Sequence, residues 1–505
     1  MRILLIYPDH LPGVSDYKGY FYQGLASIAA VLLKEGHDTR LLHQTSSPCF
    51  DGYAKTLHSF QPDIIGISTT SNLFPMAHQF AKWSRTLAPQ ALILCGGIHA
   101  TLNAEQIIKL PEFDLVCEGE GEIALAHLAR AVETGAPWEE TPGMWRRTHD
   151  GSLRRNPAPA PIIDLDTLPW PNRDLWNYPN LQMESRGFAT VMLSRGCHQH
   201  CTYCCNEAIA KVYRRDNAKH PYFRQRSVTS SIAELKALCD RYPFIKAFNF
   251  DDDNFFINLP WAREFTARYP TEIGLPFTCN LFPKLINEER VDLLARAGCL
   301  DLRIGLESGN ERIRKEILGR NISDEDMRRA YRLCREAGIR TRSFVMVGIP
   351  GESTKEILDT IKFVAHERIG IAQYSIYSPF EKTALHKHCL ENGYLKSEFR
   401  ADKDYYSGSI LSLPNLTKKQ ILMFRRYFPV LVTIYRLSQN LPDTIQRVCM
   451  TLLDNIFSWR WLPHALNPLS GGLKIVKHLI PARLNRNRIH LKKSTSVRPA
   501  TAPSP

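Results

Sequence analysis

No stretch of about 18 consecutive apolar residues occurs in the chain, so no membrane-spanning helix is expected. Its first residues, Met1-Arg-Ile-Leu-Leu-Ile-Tyr-Pro-Asp9, hold an apolar run too short for a signal peptide and no small-residue cleavage site. They read as a first β-strand, and the protein is expected in the cytoplasm. Acid is missing from the other end: no Asp or Glu follows Asp454, whereas nine Lys or Arg do, starting at Arg460. Most of the formal +13 charge therefore sits in the tail. A tail of this kind suits peripheral contact with an anionic membrane or with nucleic acid, or serves solubility alone. Nothing resembles a sequence-specific nucleic-acid module. A disulfide scaffold is also lacking. Nine of the 13 cysteines stand alone and read as small buried hydrophobes. The other four gather at Cys197, Cys201, Cys204 and Cys205, and in a long chain such a group points to metal binding or catalysis.

What is present is a folded α/β composition: 505 residues, 44% hydrophobic and 23% charged, enough for two to four domains of about 150 residues. Residues 1–135 alternate strand-like runs (2–8, 38–43, 63–69, 91–97, 114–118) with amphipathic helices (22–35, 72–87, 121–134). Five such strands predict a flavodoxin-like, doubly wound parallel sheet that binds ligands at its strand C-termini. The polar turns there are Ser68-Thr69-Thr70-Ser71, Gly96-Gly97-Ile98-His99 and Glu118-Gly119-Glu120-Gly121-Glu122. Residues 136–182, with eight prolines, read as a connector with a hairpin around Asp150-Gly151. Residues 183–405 return to six βα units, a partial or complete TIM-type (β/α) barrel whose active groups lie at strand C-termini. Residues 406–489 read as a helical C-terminal region that caps the barrel or packs beside it, and 490–505 as a disordered basic tail.

The chemistry is concentrated in Ser194-Arg-Gly-Cys197-His-Gln-His-Cys201-Thr-Tyr-Cys204, just after the first strand of the second array. Three thiolates from one loop suit an iron–sulfur cluster with one iron left open. A closed zinc site would need a fourth ligand from His198, His200 or Cys205.

This motif, CxxxCxφC with Tyr203 as the aromatic residue, resembles the signature of the radical SAM superfamily. The resemblance implies that Cys197, Cys201 and Cys204 hold a [4Fe-4S] cluster. The open iron would chelate S-adenosylmethionine (SAM), with Tyr203 near its adenine. It also implies polar contacts to SAM from Asp252 and Asn254 after the second strand and from Glu307 after the fourth. Gly348 and Gly351 after the fifth strand match an adenine-side glycine motif. The plain structural readings of the same residues are an acidic turn, a salt bridge and a tight turn. Glu381-Lys382 departs from the Pro-Gly-Thr common after the sixth strand.

Residues 1–135 resemble the cobalamin-binding domain that precedes some radical SAM barrels. The matching pieces are Gly24-Leu-Ala-Ser-Ile28, Pro62-Asp63-Ile-Ile-Gly66 and the two glycine-rich turns. The resemblance places the cobalamin near Ser68, Thr69, Gly96, Gly97, His99 and Glu120. The Asp-x-His-x-x-Gly motif is missing and His99 does not replace it, so cobalamin is expected base-off, without a histidine ligand. Together these resemblances imply a cobalamin-dependent radical SAM enzyme of the class B methyltransferase type. A reduced flavodoxin or ferredoxin would supply the electron for a 5′-deoxyadenosyl radical. An unactivated carbon of a small-molecule or lipid-like substrate would then accept a methyl group from methylcobalamin. A radical cyclase or rearrangement enzyme, or a non-catalytic cluster- and corrinoid-binding protein, shares the same architecture.

Overall fold

The computed structural model describes residues 1–11, 14, 16–395 and 408–466. The chain divides into two compact units, Met1–Ser458 and Trp459–Pro505. Of the second unit, residues 459–466 are described, with a short helix at Leu462–Leu466. The expected tail at 490–505, and the tail's basic residues beyond Arg460, lie outside the described residues.

The first sheet holds seven strands: β1 (Arg2–Pro8), β2 (Asp38–Gln44), β3 (Ile64–Ser68), β4 (Leu92–Gly96), β5 (Leu115–Cys117), β6 (Met144–Arg147) and β7 (Leu153–Arg155). Their order is β2-β1-β3-β4-β5-β6-β7. The five expected strands are parallel, in the flavodoxin-like order. Strand geometry explains the two-sided burial of β1: Ile3, Leu5 and Tyr7 enter one core, while Leu4 and Ile6 enter the other. The connector does more than wrap the surface. Its hairpin, turning at Asp150-Gly151, adds β6 antiparallel to β5 and β7 antiparallel to β6. Two helices beyond those expected complete the layers, Phe50–Phe60 and Ile98–Ile107.

The second sheet is an open arc of six parallel strands: β8 (Phe188–Val191), then, past the short antiparallel pair β9 (Ser194–Arg195) and β10 (Arg224–Gln225), β11 (Ala247–Phe250), β12 (Phe277–Asn280), β13 (Cys299–Glu307), β14 (Arg340–Val347) and β15 (Ile371–Ile376). Strands β8 and β15 form its two edges, which makes it a partial (β/α)6 barrel. Helix starts follow the local chemistry. Ser323 and Asp326, and Ser353 and Glu356, form capping boxes on the helices Asp324–Glu336 and Thr354–His366.

The C-terminal region packs beside the barrel. Its helix Lys418–Ser438 lies against Thr354–His366 and β15, with Phe428 stacked 4.9 Å from Tyr374. A second helix, Asp443–Ser458, follows it. No described helix is long and apolar enough to cross a membrane.

Candidate active site

The cysteine loop leaves β8 and is pinned at once. The buried carboxylate of Asp252 accepts from Leu193 N at 3.0 Å and from the Ser194 hydroxyl. Asp252 is therefore an anchor for the loop's entry rather than a solvated acidic turn, and burial pushes its carboxyl up to about 7. At Gly196, φ is +87°, and a Cβ would lie 2.5 Å from Tyr222 O, so only glycine fits this turn. Further on, Thr202 N donates to Leu318 O at 3.0 Å and its hydroxyl to Ile317 O at 2.6 Å. Cys204 is the N-cap of a helix the sequence reading left out, Cys205–Asn217.

Two side chains from the connections after β11 and β13 reach the thiols. Asn254 donates from Nδ2 to Cys197 Sγ at 3.3 Å while its Oδ1 accepts from Phe282 N at 2.7 Å. Arg320, missed by the sequence reading, is 5% exposed. It places Nη1 3.8 Å from Cys201 Sγ and 3.1 Å from Tyr203 Oη, and donates from Nη2 to Gly305 O at 2.6 Å. Glu307 Oε1 is 3.9 Å from the same guanidinium. Glu307 holds φ +61°, a left-handed backbone uncommon outside glycine, at a register shift between β13 and β14. Burial raises its carboxyl, and Arg320 pulls the other way. Burial also pushes Cys197 up to about 11 and raises Cys201; Cys204 is raised by its hydrogen bond with Cys205 and by burial. The thiols therefore hold their protons until a metal displaces them.

Three cysteines of one loop, with donors aimed at two of their sulfurs, fit a [4Fe-4S] cluster. A local zinc site fits poorly. His200 is 2.8 Å from Glu207 and His198 packs on Phe223. Among the described residues, no three His, Cys, Asp or Glu side chains are grouped to hold one metal ion. Gly348 and Gly351 sit in a turn closed by buried Glu352, whose Oε2 accepts from Gly348 N and Ile349 N at 2.9 Å. Ile421 of the C-terminal region covers Gly348.

The C-terminal edges of the two sheets face one cavity of about 570 Å³. Ser68, Gly96, Gly97 and Gly119–Gly121 line it from the first sheet, and Met192, Arg195, Gly196, Cys205 and Asn206 from the barrel side. It continues into a cleft past Gly66 and Gly121, where a Cβ would meet Leu5 at 3.2 Å and Ile28 at 2.7 Å. Such a narrow, glycine-walled cleft at strand ends fits the nucleotide tail of a cobalamin. Thr69 and His99 lie off the lining. His99 Nδ1 is 3.0 Å from Ser71 Oγ, its ring is 4.5 Å from Phe74, and burial pushes it down to about 4.

Glu120 lines the cavity but is committed to ion pairs. Both its oxygens accept from Arg224, at 2.6 and 3.0 Å, and Arg195 is 3.3 Å away. Its neighbours repeat the pattern. Glu122 accepts from Arg195 at 2.6 Å and from the Ser27 hydroxyl at 2.7 Å, while Glu118 pairs with Arg155 and Arg215. The alternating Glu-Gly-Glu-Gly-Glu turn is thus a seam joining the first sheet to the barrel.

Comparison with known proteins agrees with this geometry. The B12 binding domain model matches residues 20–129 and the radical SAM superfamily model matches residues 191–364. An uncharacterized methyltransferase of Pyrococcus horikoshii is 28% identical over 78% of this chain and 84% of its own. The anaerobic magnesium-protoporphyrin IX monomethyl ester cyclase of Rubrivivax gelatinosus is 24% identical over 75% of this chain and 68% of its own. Among solved structures, the radical SAM methyltransferase TsrM of Kitasatospora setae shares the fold, with TM-score 0.62 and 21% identity over 78% of this chain and 76% of that one. With a cobalamin-type domain built onto a cysteine-loop barrel across one cavity, the chain belongs to the radical SAM superfamily as a cobalamin-dependent enzyme, and its cofactors are a [4Fe-4S] cluster, SAM and cobalamin.

Proposed function

We propose that this enzyme methylates an unactivated carbon of a small-molecule substrate. The observation that carries the reading is the shared cavity: Gly96, Gly97 and Gly121 on one wall and Cys205 and Asn206, directly after the cluster loop, on the other. Reagents held at the two sheet edges meet there without crossing solvent. When bound, the cluster and SAM supply a carbon-centred radical and methylcobalamin supplies the methyl group. The chain's own part is positional. Cys197, Cys201 and Cys204 hold the cluster, with Asn254 and Arg320 orienting the sulfurs. Tyr203 and Glu307 present polar atoms beside Arg320 for SAM. The glycine-walled cleft holds the cobalamin tail. His99 is engaged with Ser71 and Phe74, which supports base-off cobalamin without a histidine ligand.

The test is anaerobic reconstitution with iron, sulfide and hydroxocobalamin, followed by reductant and SAM. A base-off corrinoid spectrum, 5′-deoxyadenosine, and S-adenosylhomocysteine once substrate is added are the expected results. 5′-Deoxyadenosine without corrinoid retention would sink the methyl-transfer reading. The cyclase relative favours a second reading, radical ring closure; turnover that yields 5′-deoxyadenosine but no S-adenosylhomocysteine would select it.

A further inference from the structure

The helix Asp443–Ser458 is apolar on two faces, and only one of them has a partner among the described residues. On the inner side Asp454 accepts from Lys362 Nζ at 3.0 Å and from Tyr435 Oη at 2.6 Å, which fixes the helix against Thr354–His366 and Lys418–Ser438. Outward, Ile445, Val448, Leu452 and Ile456 recur at helical spacing and are 50–56% exposed; Leu441, in the turn before the helix, is 38% exposed, and Leu437 at the end of the preceding helix is 62% exposed. Single exposed aliphatics are ordinary, but four along one helix face are not.

We propose that this stripe is a docking surface for an anionic lipid membrane. From Ile445 to Ile456 it runs about 16 Å, too short to span a bilayer but suited to lying in its interface. Charge selects the partner. Beyond Asp454 the sequence has nine Lys or Arg and no acid, which complements anionic headgroups. The proposal is independent of the reaction proposed above.

The test is co-sedimentation of the full-length protein with phosphatidylcholine vesicles, with and without phosphatidylserine. It compares the wild type with the double variant Val448→Glu/Leu452→Glu, with melting curves and light scattering on both. The wild type is expected to pellet with the phosphatidylserine vesicles, less so as salt rises. The double variant is expected to bind about tenfold more weakly or less, with unchanged melting, because it removes only exposed apolar anchors. Equal binding by both proteins overturns the proposal. So does a wild-type dimer that the double variant splits, which assigns the stripe to a second copy. A monomeric wild type that never pellets also overturns it.

Discussion

Arg320 is held by groups from several elements: Tyr203 and Cys201 of the loop, and Gly305 and Glu307 of β13. A buried guanidinium is tolerated only with such partners, and its fork reaches several at once. Arg320→Lys keeps a charge but not the fork. It is expected to lower 5′-deoxyadenosine formation about tenfold or more with the cluster's absorbance retained. Glu352 shows the opposite balance. Burial pushes its carboxyl up to about 8, and its Oε1 has no hydrogen-bond partner among the described residues. A carboxyl raised in the folded state binds a proton that the unfolded chain has lost, so stability falls as pH rises from about 4.5 to about 8. Glu352→Gln is expected to flatten that stretch of the stability–pH profile, by at most about 1.4 kcal/mol per pH unit, as measured by denaturant unfolding. The three cysteines proposed to hold the cluster were legible because their spacing lies within one loop. Arg320 was not: it is 119 residues from Cys201, and only the fold brings them together.

Among the elements, the Glu118–Glu122 turn makes the strongest claim on stability. Glu122 is 3% exposed and bonded by both Arg195 and Ser27. Glu122→Ala leaves Arg195 partly uncompensated inside the seam and is expected to cost about 3 kcal/mol, seen as a lower denaturant midpoint with an unchanged slope. Elements with one buried face were legible from their period, as in Gln23–Lys34 and Thr354–His366. The helix Ile98–Ile107 was not, because Ala100, Leu102, Ala104 and Ile107 are buried around its circumference and it bends at Asn103. Sequence showed the hairpin at Asp150-Gly151 but not its pairing with β5, which local turn chemistry does not encode.

Taken whole, the molecule keeps the two proposed cofactor sites structurally separate while sharing one cavity. The cleft past Gly66 belongs to the first sheet, and the cysteine loop belongs to the barrel. Gly66→Leu would press into Leu5 and Leu125 and fill the cleft. The variant is expected to lose corrinoid on gel filtration while keeping the cluster's absorbance and substrate-free SAM cleavage. Loss of both together would mean that the halves fold as one unit. The order of synthesis adds a constraint from the hairpin. Strand β5 has only three residues, and its outer edge is covered by β6, closed in turn by β7 at Arg155. At about 5–20 residues per second, a ribosome needs about 2–8 s to travel from Cys117 to Arg155. For that interval the nascent sheet carries a bare edge, the kind that seeks another chain. A gene fragment cut at residue 135 would make that interval permanent, so a stable excised domain has to run past Arg155.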